Sequence, residues 1–409
     1  MESIEDIVIV GAGVAGLTTA LGLHRMGIRS LVLESWSDLR ADGLAFINWT
    51  NSWKALDTLG ISDSLRKSHY QLKSIVASSS VSGLPTSETT LEGKGEHGTH
   101  EVRVVRRKAL IESLAKDLPQ GTIKFCSKVV LIEEENQFKL VHLADGFIFK
   151  TKVLIGSDGV NSVVAKWMGI RKPCFARRWA IRGLTEYPNG HNLERKFQIF
   201  FGNGYRSGFL PMDENTIHWF FTFSSLEKNV KVQESQIERK QFVLNNLGKI
   251  PPEMREVIEK TDLEKIISSP LWYRCPFDLL WPGAIYKGNV CLIGDALHSL
   301  TPDIAQGGCA ALEDGIVVAR CLAEVFTAKE NKEIINEDEE YGRIEKAMKK
   351  FKEERKWRSF ELISTSYIVG LIQQSGEKVI NFLVDKLFSS YLIGLSLKRA
   401  DFDCGKLVV

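Results

Sequence analysis

Gly11-Ala12-Gly13-Val14-Ala15-Gly16 is the segment of the chain whose residue types and spacing point most directly to chemistry. The first glycine permits a tight turn, and the second lets a pyrophosphate approach backbone N–H groups at a helix N-terminus. The third lets that helix lie close on a sheet. Glu34, about 20 residues on, can accept hydrogen bonds from ribose hydroxyls. Such a site needs a strand, a helix and a second strand to hold it. Ile7-Val8-Ile9-Val10 reads as a buried parallel strand. Val14, Leu17, Thr18, Leu21 and Arg25 then repeat at helical spacing, with Gly27 placed to end the helix. Ser30-Leu31-Val32-Leu33 is the second strand, and it ends in Glu34. The unit predicts a dinucleotide site and leaves the dinucleotide open.

Two later segments narrow the choice. The apolar run Lys152-Val153-Leu154-Ile155 enters Gly156-Ser157-Asp158-Gly159, with Ser162 placed to cap the next segment. Taken alone, an Asp-Gly pair after a strand is most often a turn. Further on, Val290-Cys291-Leu292-Ile293 ends in Gly294-Asp295, and a loop holding Pro302 and Gln306-Gly307-Gly308 leads into a helix from Cys309 to Glu324. Asp295 can accept from a ribityl or ribose hydroxyl, and the N–H groups at the loop and helix start can bind an electron-rich ring edge. His298 is a candidate catalytic base, set against the more common role of a packed or capping histidine beside such a loop.

In this order, the three motifs resemble those of the single-component FAD-dependent aromatic hydroxylases with the p-hydroxybenzoate hydroxylase fold. Segments 39–43, 51–57 and 401–405 resemble the plant branch of that family, and so a role in plant secondary metabolism. The resemblance implies an α/β fold: a Rossmann-like FAD-binding domain, a mixed-sheet substrate domain and C-terminal helices. It places Gly11, Gly13, Ala15 and Gly16 around the FAD pyrophosphate, Glu34 at the adenosine ribose and Arg107 near the phosphates. Val129 would meet the adenine through its backbone, and Asp158 would serve both FAD and NAD(P)H. Asp295 would bind the ribityl and pyrophosphate region, with Ala305, Gly307 and Gly308 at the isoalloxazine.

The implied activity is that of a monooxygenase. NAD(P)H would be a transient electron donor without its own domain, since Gly202-Asn203-Gly204 lacks the third glycine and the helix. One oxygen of O2 would pass, through a flavin C4a-hydroperoxide, to a small aromatic or apolar metabolite. Oxidation, epoxidation or cyclisation of a natural product on the same scaffold, and a non-enzymatic binding protein, are the alternatives. The chain departs from the family pattern at Ala305, where a glycine is usual, at Ser299, where a proline is usual, and at Ala165-Lys166, where an arginine often stands nearby. An alanine in the flavin loop predicts an altered pocket if that position needs positive φ.

Composition bounds the rest. A net charge of +2 excludes an overall field for nucleic acid. Seven scattered cysteines without a close pair indicate neither a disulfide framework nor a metal site, and fit a reducing, cytoplasmic setting. The start of the chain has no cleavable apolar leader, and residues 7–23 hold too many glycines and threonines to span a bilayer.

The 409 residues suggest two or three domains. The expected FAD domain is discontinuous, over 1–70, 101–179 and 276–358, with 71–100 and 180–275 as the substrate domain and 359–409 as a C-terminal helical segment. Alternating runs within 180–275 read as an antiparallel sheet roofing the flavin, with Tyr205 and Arg206 as polar contacts. Residues 343–358 carry eight basic and three acidic side chains and read as a solvated helix. The apolar stretch 360–397, interrupted at Gln373–Lys378, reads as packed terminal helices; peripheral membrane contact, and the choice of monomer or homodimer, stay open.

Overall fold

Strand Ser3–Val10 runs between Leu31–Leu33 and Ile148–Gly156, parallel to both. Ile7, Val8 and Ile9 have no exposed surface, as expected of a parallel strand covered on both faces. The computed structural model describes residues 3–39, 43–202, 204–225, 235–327, 336–373 and 389–407. Arg40-Ala41-Asp42, Asn203 and Gln374–Lys378, which figure in the sequence expectations, lie outside them.

Along its other edge, strand Ile148–Gly156 pairs with two partners in turn. Its first half meets Phe138–Leu143 antiparallel, and its last three residues meet Val290–Leu292 parallel. Val10 is in register with both Leu33 and Gly156, and Gly156 with Leu292. Four carboxyl ends from distant parts of the sequence therefore finish level. The loops that follow them emerge side by side, where open α/β sheets bind their ligands.

Helix Val14–Arg25 covers this sheet and packs against helix Gly307–Phe326. A Cβ on Gly22 would lie 2.9 Å from Cβ of Ala319, and one on Gly315 would lie 2.5 Å from Thr18. Glycine is required at both positions for the helices to come this close.

The second sheet has seven strands, in the order Ile266–Tyr273, Cys174–Glu186, Thr216–Ser224, Tyr205–Pro211, Lys196–Gly202, Ser74–Ser79 and Pro85–Thr90. All neighbours are antiparallel except Lys196–Gly202 with Ser74–Ser79. The sheet is therefore mixed, and segment 71–100 supplies its edge with strands Ser74–Ser79 and Pro85–Thr90.

Two boundaries from the sequence need correction. The cut at 179/180 falls inside strand Cys174–Glu186, and the cut at 358/359 falls inside one helix, Glu337–Gln373. Neither point carries a glycine, proline or turn signal, so the elements continue through them. Helix Ser389–Ala400 then packs on edge strand Pro85–Thr90. No described helix is long and apolar enough to cross a membrane.

Candidate cofactor and substrate site

Three glycines of the first motif do different work. A Cβ on Gly11 would lie 2.8 Å from the Ser157 carbonyl oxygen, and one on Gly16 only 2.0 Å from the Gly11 carbonyl oxygen. Both are therefore required by contact between backbone segments. A Cβ on Gly13 would meet nothing within 4 Å. Gly13 caps helix Val14–Arg25 with no side-chain hydrogen bond and no acidic residue in the first turn. An uncapped helix start facing open space is a place for an anion. Ala15 is where the third motif touches this helix, since a Cβ on Gly294 would come within 2.9 Å of its methyl.

Glu34 is held in place from both sides. One carboxylate oxygen accepts the Ala12 N–H at 2.8 Å, and the other accepts Ser35 Oγ at 3.1 Å and the Trp36 N–H at 3.0 Å. A carboxylate has lone pairs beyond these three bonds with which to accept a hydroxyl. The Ser127 N–H donates to the Glu34 carbonyl at 2.7 Å, which brings Val129, first residue of strand Val129–Glu135, to the same end of the sheet.

The two later acids are used differently. Asp158 accepts Ser162 Oγ at 2.5 Å and the Val163 N–H at 2.6 Å, so its carboxylate caps the short helix Val163–Trp167 while its backbone lies against Gly11. Burial pushes its pKa up against the pull of those bonds. Asp295 accepts no hydrogen bond from any described residue and is exposed. The protein packed around it nevertheless raises its pKa, with His298 and Arg107 opposing the rise. The carboxylate is therefore accessible to a ligand. Arg107 opens helix Arg107–Lys116 and lies over the Phe46 ring at 4.9 Å. Phe46 in turn presses on Gly308, where a Cβ would come within 2.9 Å of it, whereas Gly307 faces open space.

His298 has no exposed surface, and its Nε2 pairs with Asp314 Oδ2 at 2.6 Å. The same Asp314 oxygen accepts the Gly294 N–H at 2.8 Å, and its other oxygen accepts Arg355 Nε at 2.6 Å. His298 thus braces the Gly294-Asp295 turn from behind, the packed role among the two expected for it. Burial pulls its pKa down, but the Asp314 charge and hydrogen bond outweigh that and raise it. Because the folded-state pKa is raised, the stabilisation is complete below the ordinary histidine range and is lost as pH rises through the raised value. The stability advantage of the native protein over His298→Asn in urea unfolding should therefore shrink as pH rises from the ordinary histidine range through the raised value; a constant advantage would contradict it.

The loop from Pro302 to Gly307 carries most of what sequence reasoning missed. Asp303, completely buried at its side chain, accepts Arg178 Nη1 at 2.9 Å and Nη2 at 2.8 Å, and Arg206 Nη1 at 3.2 Å. Arg206 also donates to the Asp303 carbonyl at 3.1 Å. Two arginines of the second sheet therefore clamp the loop of the first. Arg206 is accordingly a partner of Asp303 instead of an open polar contact. Tyr205 points the other way, stacked on Phe221 at 5.3 Å. A signal existed in the sequence: charged residues at inward positions of apolar strands demand buried partners.

From the other side, Asn51 Nδ2 donates to Gln306 Oε1 at 2.8 Å and to Glu313 Oε1 at 2.5 Å. Ala305 has φ 51° and ψ 37°, the left-handed conformation that a glycine would adopt without strain. Ala305→Gly should stabilise the fold by about 1 kcal/mol, the steric cost removed less the entropy added to the unfolded chain. Thermal unfolding checks this, and a destabilised variant would refute it.

Strand ends in register, an open anion cradle and a clamped glycine loop define a dinucleotide-binding flavoprotein. The family model described as FAD binding domain matches residues 5–265 and 282–348. Monooxygenase 2 of Arabidopsis thaliana is 50% identical over 409 residues, covering 100% of this chain and 99% of that protein. Monooxygenase 1 of the same plant is 35% identical over 414 residues, covering 100% of both. Among solved structures, Klebsiella pneumoniae HpxO complexed with FAD and uric acid superposes with a TM-score of 0.81 at 22% identity, covering 97% of this chain and 96% of that one. The chain belongs to the FAD binding domain family. It is an FAD-dependent monooxygenase.

Proposed function

We propose that this monooxygenase uses NAD(P)H to reduce its flavin and transfers one oxygen of O2 to a small, electron-rich aromatic or apolar metabolite. The observation that supports this best is the loop Pro302–Gly307, pinned to the second sheet by Arg178, Arg206 and Asp303. It sets a sheet face directly over the place where the glycine helix begins. FAD, when bound, supplies the redox and oxygen-activating chemistry.

The protein's own residues bind and orient. Gly13 with the start of helix Val14–Arg25 offers N–H groups to the pyrophosphate, Glu34 accepts from the ribose, and Asp295 accepts from the ribityl side. Gly307 leaves room for the ring edge at the start of a 20-residue helix without a side-chain cap, so its N–H groups can donate there. The second sheet, held to this loop by Arg178 and Arg206, would exclude water from the reacting carbon.

Related proteins include one named FAD-dependent urate hydroxylase, from Klebsiella pneumoniae, and one named 3-amino-4-hydroxybenzoate 2-monooxygenase, from Streptomyces cremeus. Both names describe ring hydroxylation of small, electron-rich molecules, which supports the substrate size and type proposed here. The test is a screen for compounds that stimulate NAD(P)H consumption by the FAD-loaded protein, with mass spectrometry of products formed under oxygen-18. Label in the product supports oxygen transfer; oxidised or cyclised product without label would replace it.

A further inference from the structure

The long helix Glu337–Gln373 buries one side against the body of the protein and leaves the other exposed. Its basic run, residues 343–358, divides in two. Arg343 and Lys350 pair with Glu339 and Glu324, while Arg355 and Arg358 are buried against Glu313. Lys346, Lys349, Lys352 and Lys356 reach solvent and form no ion pair among the described residues. Glu345 and Glu353, exposed among them, offset two of these four charges, so the face stays cationic.

Beyond the lysines the exposed side changes character. Trp357 is 59% exposed, and Ile368 and Leu371 are exposed as well, with Phe360 and Tyr367 half-buried between them. These positions recur at three- and four-residue spacing and form one stripe. The short helix Pro276–Leu280 lies alongside and widens it. Phe277, 63% exposed, sits edge-on to Phe360 at 5.6 Å, and Trp281 just after it is 66% exposed. Trp357 meets Phe360 at 5.7 Å, with Lys356 over its own ring at 5.3 Å. Arg171 adds a cation beside the short helix, 3.9 Å from Asp278.

Apolar residues gathered in one exposed patch mark an interaction surface. The order along the helix indicates the partner: lysines first, then tryptophan, then aliphatic residues. A lipid interface has the same layers, with charged headgroups, a boundary that favours tryptophan, and acyl chains. We propose that this face docks the protein peripherally onto an anionic lipid bilayer, with the apolar stripe entering the interface and the lysines against the headgroups. A second copy of the chain fits the face less well. A twofold pairing sets the same patch on both sides, and so brings more lysine and no added anion. Anionic lipid supplies that anion. On the inner side of the same helix, Gly370 packs on Arg178 and Asp303, so the lipid-facing surface backs onto the flavin loop. The docking does not depend on the reaction proposed above.

The FAD-loaded full chain is floated with vesicles of phosphatidylcholine, alone or with about one-third phosphatidylserine. Native protein should bind the anionic vesicles at least about tenfold more tightly, and binding should weaken as salt is raised from about 0.1 M to about 0.5 M. Trp281→Ser combined with Trp357→Ser should weaken binding about tenfold to a hundredfold. Lys349→Gln, Lys352→Gln and Lys356→Gln together should remove the preference for anionic vesicles. Flavin absorbance and circular dichroism should match the native protein in each case. If the tryptophan variant loses its flavin, the lysine variant carries the test alone. Native protein that floats with neither vesicle, or equally with both, overturns the inference. So does binding that survives the tryptophan substitutions unchanged, or a lysine variant that keeps the preference. A dimer in sedimentation equilibrium that the tryptophan substitutions dissociate, without vesicle binding, would assign the face to a second copy instead.

Discussion

Asp303→Ala should lower stability by about 3–5 kcal/mol, because it leaves two buried guanidinium groups without their shared carboxylate. The loss should be local in origin. Asp303 joins the loop before helix Gly307–Phe326 to two strands of the second sheet, so the variant should also release FAD on dilution before it unfolds. Gly370 of the long helix packs straight onto the pair, where a Cβ would lie 2.1 Å from Arg178 Nη1. Glycine at that position brings no side chain of its own to fill the gap. Urea unfolding gives the stability, and retention of the flavin absorbance through gel filtration gives the cofactor. Asp303→Asn keeps the shape and one acceptor oxygen, and should lose less. Replacing all three charged residues by apolar ones of similar size should recover much of the stability but not the docking geometry, since an apolar cluster lacks the directional bonds. An Asp303→Ala protein as stable as the native one would remove the clamp from this account.

Glu313→Ala is the second large effect, also about 3–5 kcal/mol. Glu313 forms an ion pair with Arg355 Nη1 at 2.7 Å and accepts Arg358 Nη2 at 2.7 Å, both from the long helix, and all three side chains are nearly or completely buried. After truncation Arg355 keeps Asp314, but Arg358 loses its carboxylate. Phe402 stacks beneath Arg358 at 4.4 Å and Arg355 at 5.5 Å, so the C-terminal segment is expected to loosen as well. Burial alone would raise the Glu313 pKa, but the two arginines hold it below the ordinary range. Its contribution is therefore present above that range and disappears as pH falls through the lowered value. Glu313→Gln should remove this acid-side slope, measured as urea stability against pH, and an unchanged slope would show that other carboxylates carry it.

The two variants attack the flavin loop from opposite sides. Asp303 ties it to the second sheet, while Glu313 steadies Asn51 and, through it, Gln306. Neither link could be read along the chain. Asn51 and Gln306 stood in segments singled out for family likeness, but their bond spans 255 positions. Periodicity reports which face of an element is apolar. It does not report which buried charge on one element will meet which on another.

The first motif was legible because its constraints are local. A turn at Gly11, a helix after it and an acid at the end of the next strand follow from steric and hydrogen-bonding rules that act within one strand–helix–strand unit. The position of Glu34 at the end of the second strand was legible for the same reason. The Asp158 turn was equally visible, yet the use of its carboxylate as a helix cap required the fold of Ser162 and Val163 around it. The domain cuts at 179 and 358 were misplaced because composition shifts there without any chain-breaking residue, and a strand or helix runs on when nothing stops it.

By itself, then, the sequence determined the class of cofactor site and the alanine whose backbone strain Ala305 now shows, since both depend on neighbouring residues. Only the tertiary structure decided that four strand ends finish level, that Asp295 is exposed while His298 is sealed behind it, and that Arg178 and Arg206 share the buried Asp303. The physical reason is range. Local sterics act over a few residues, whereas pairing of buried charges is settled by whichever strands and helices the sheet register brings together.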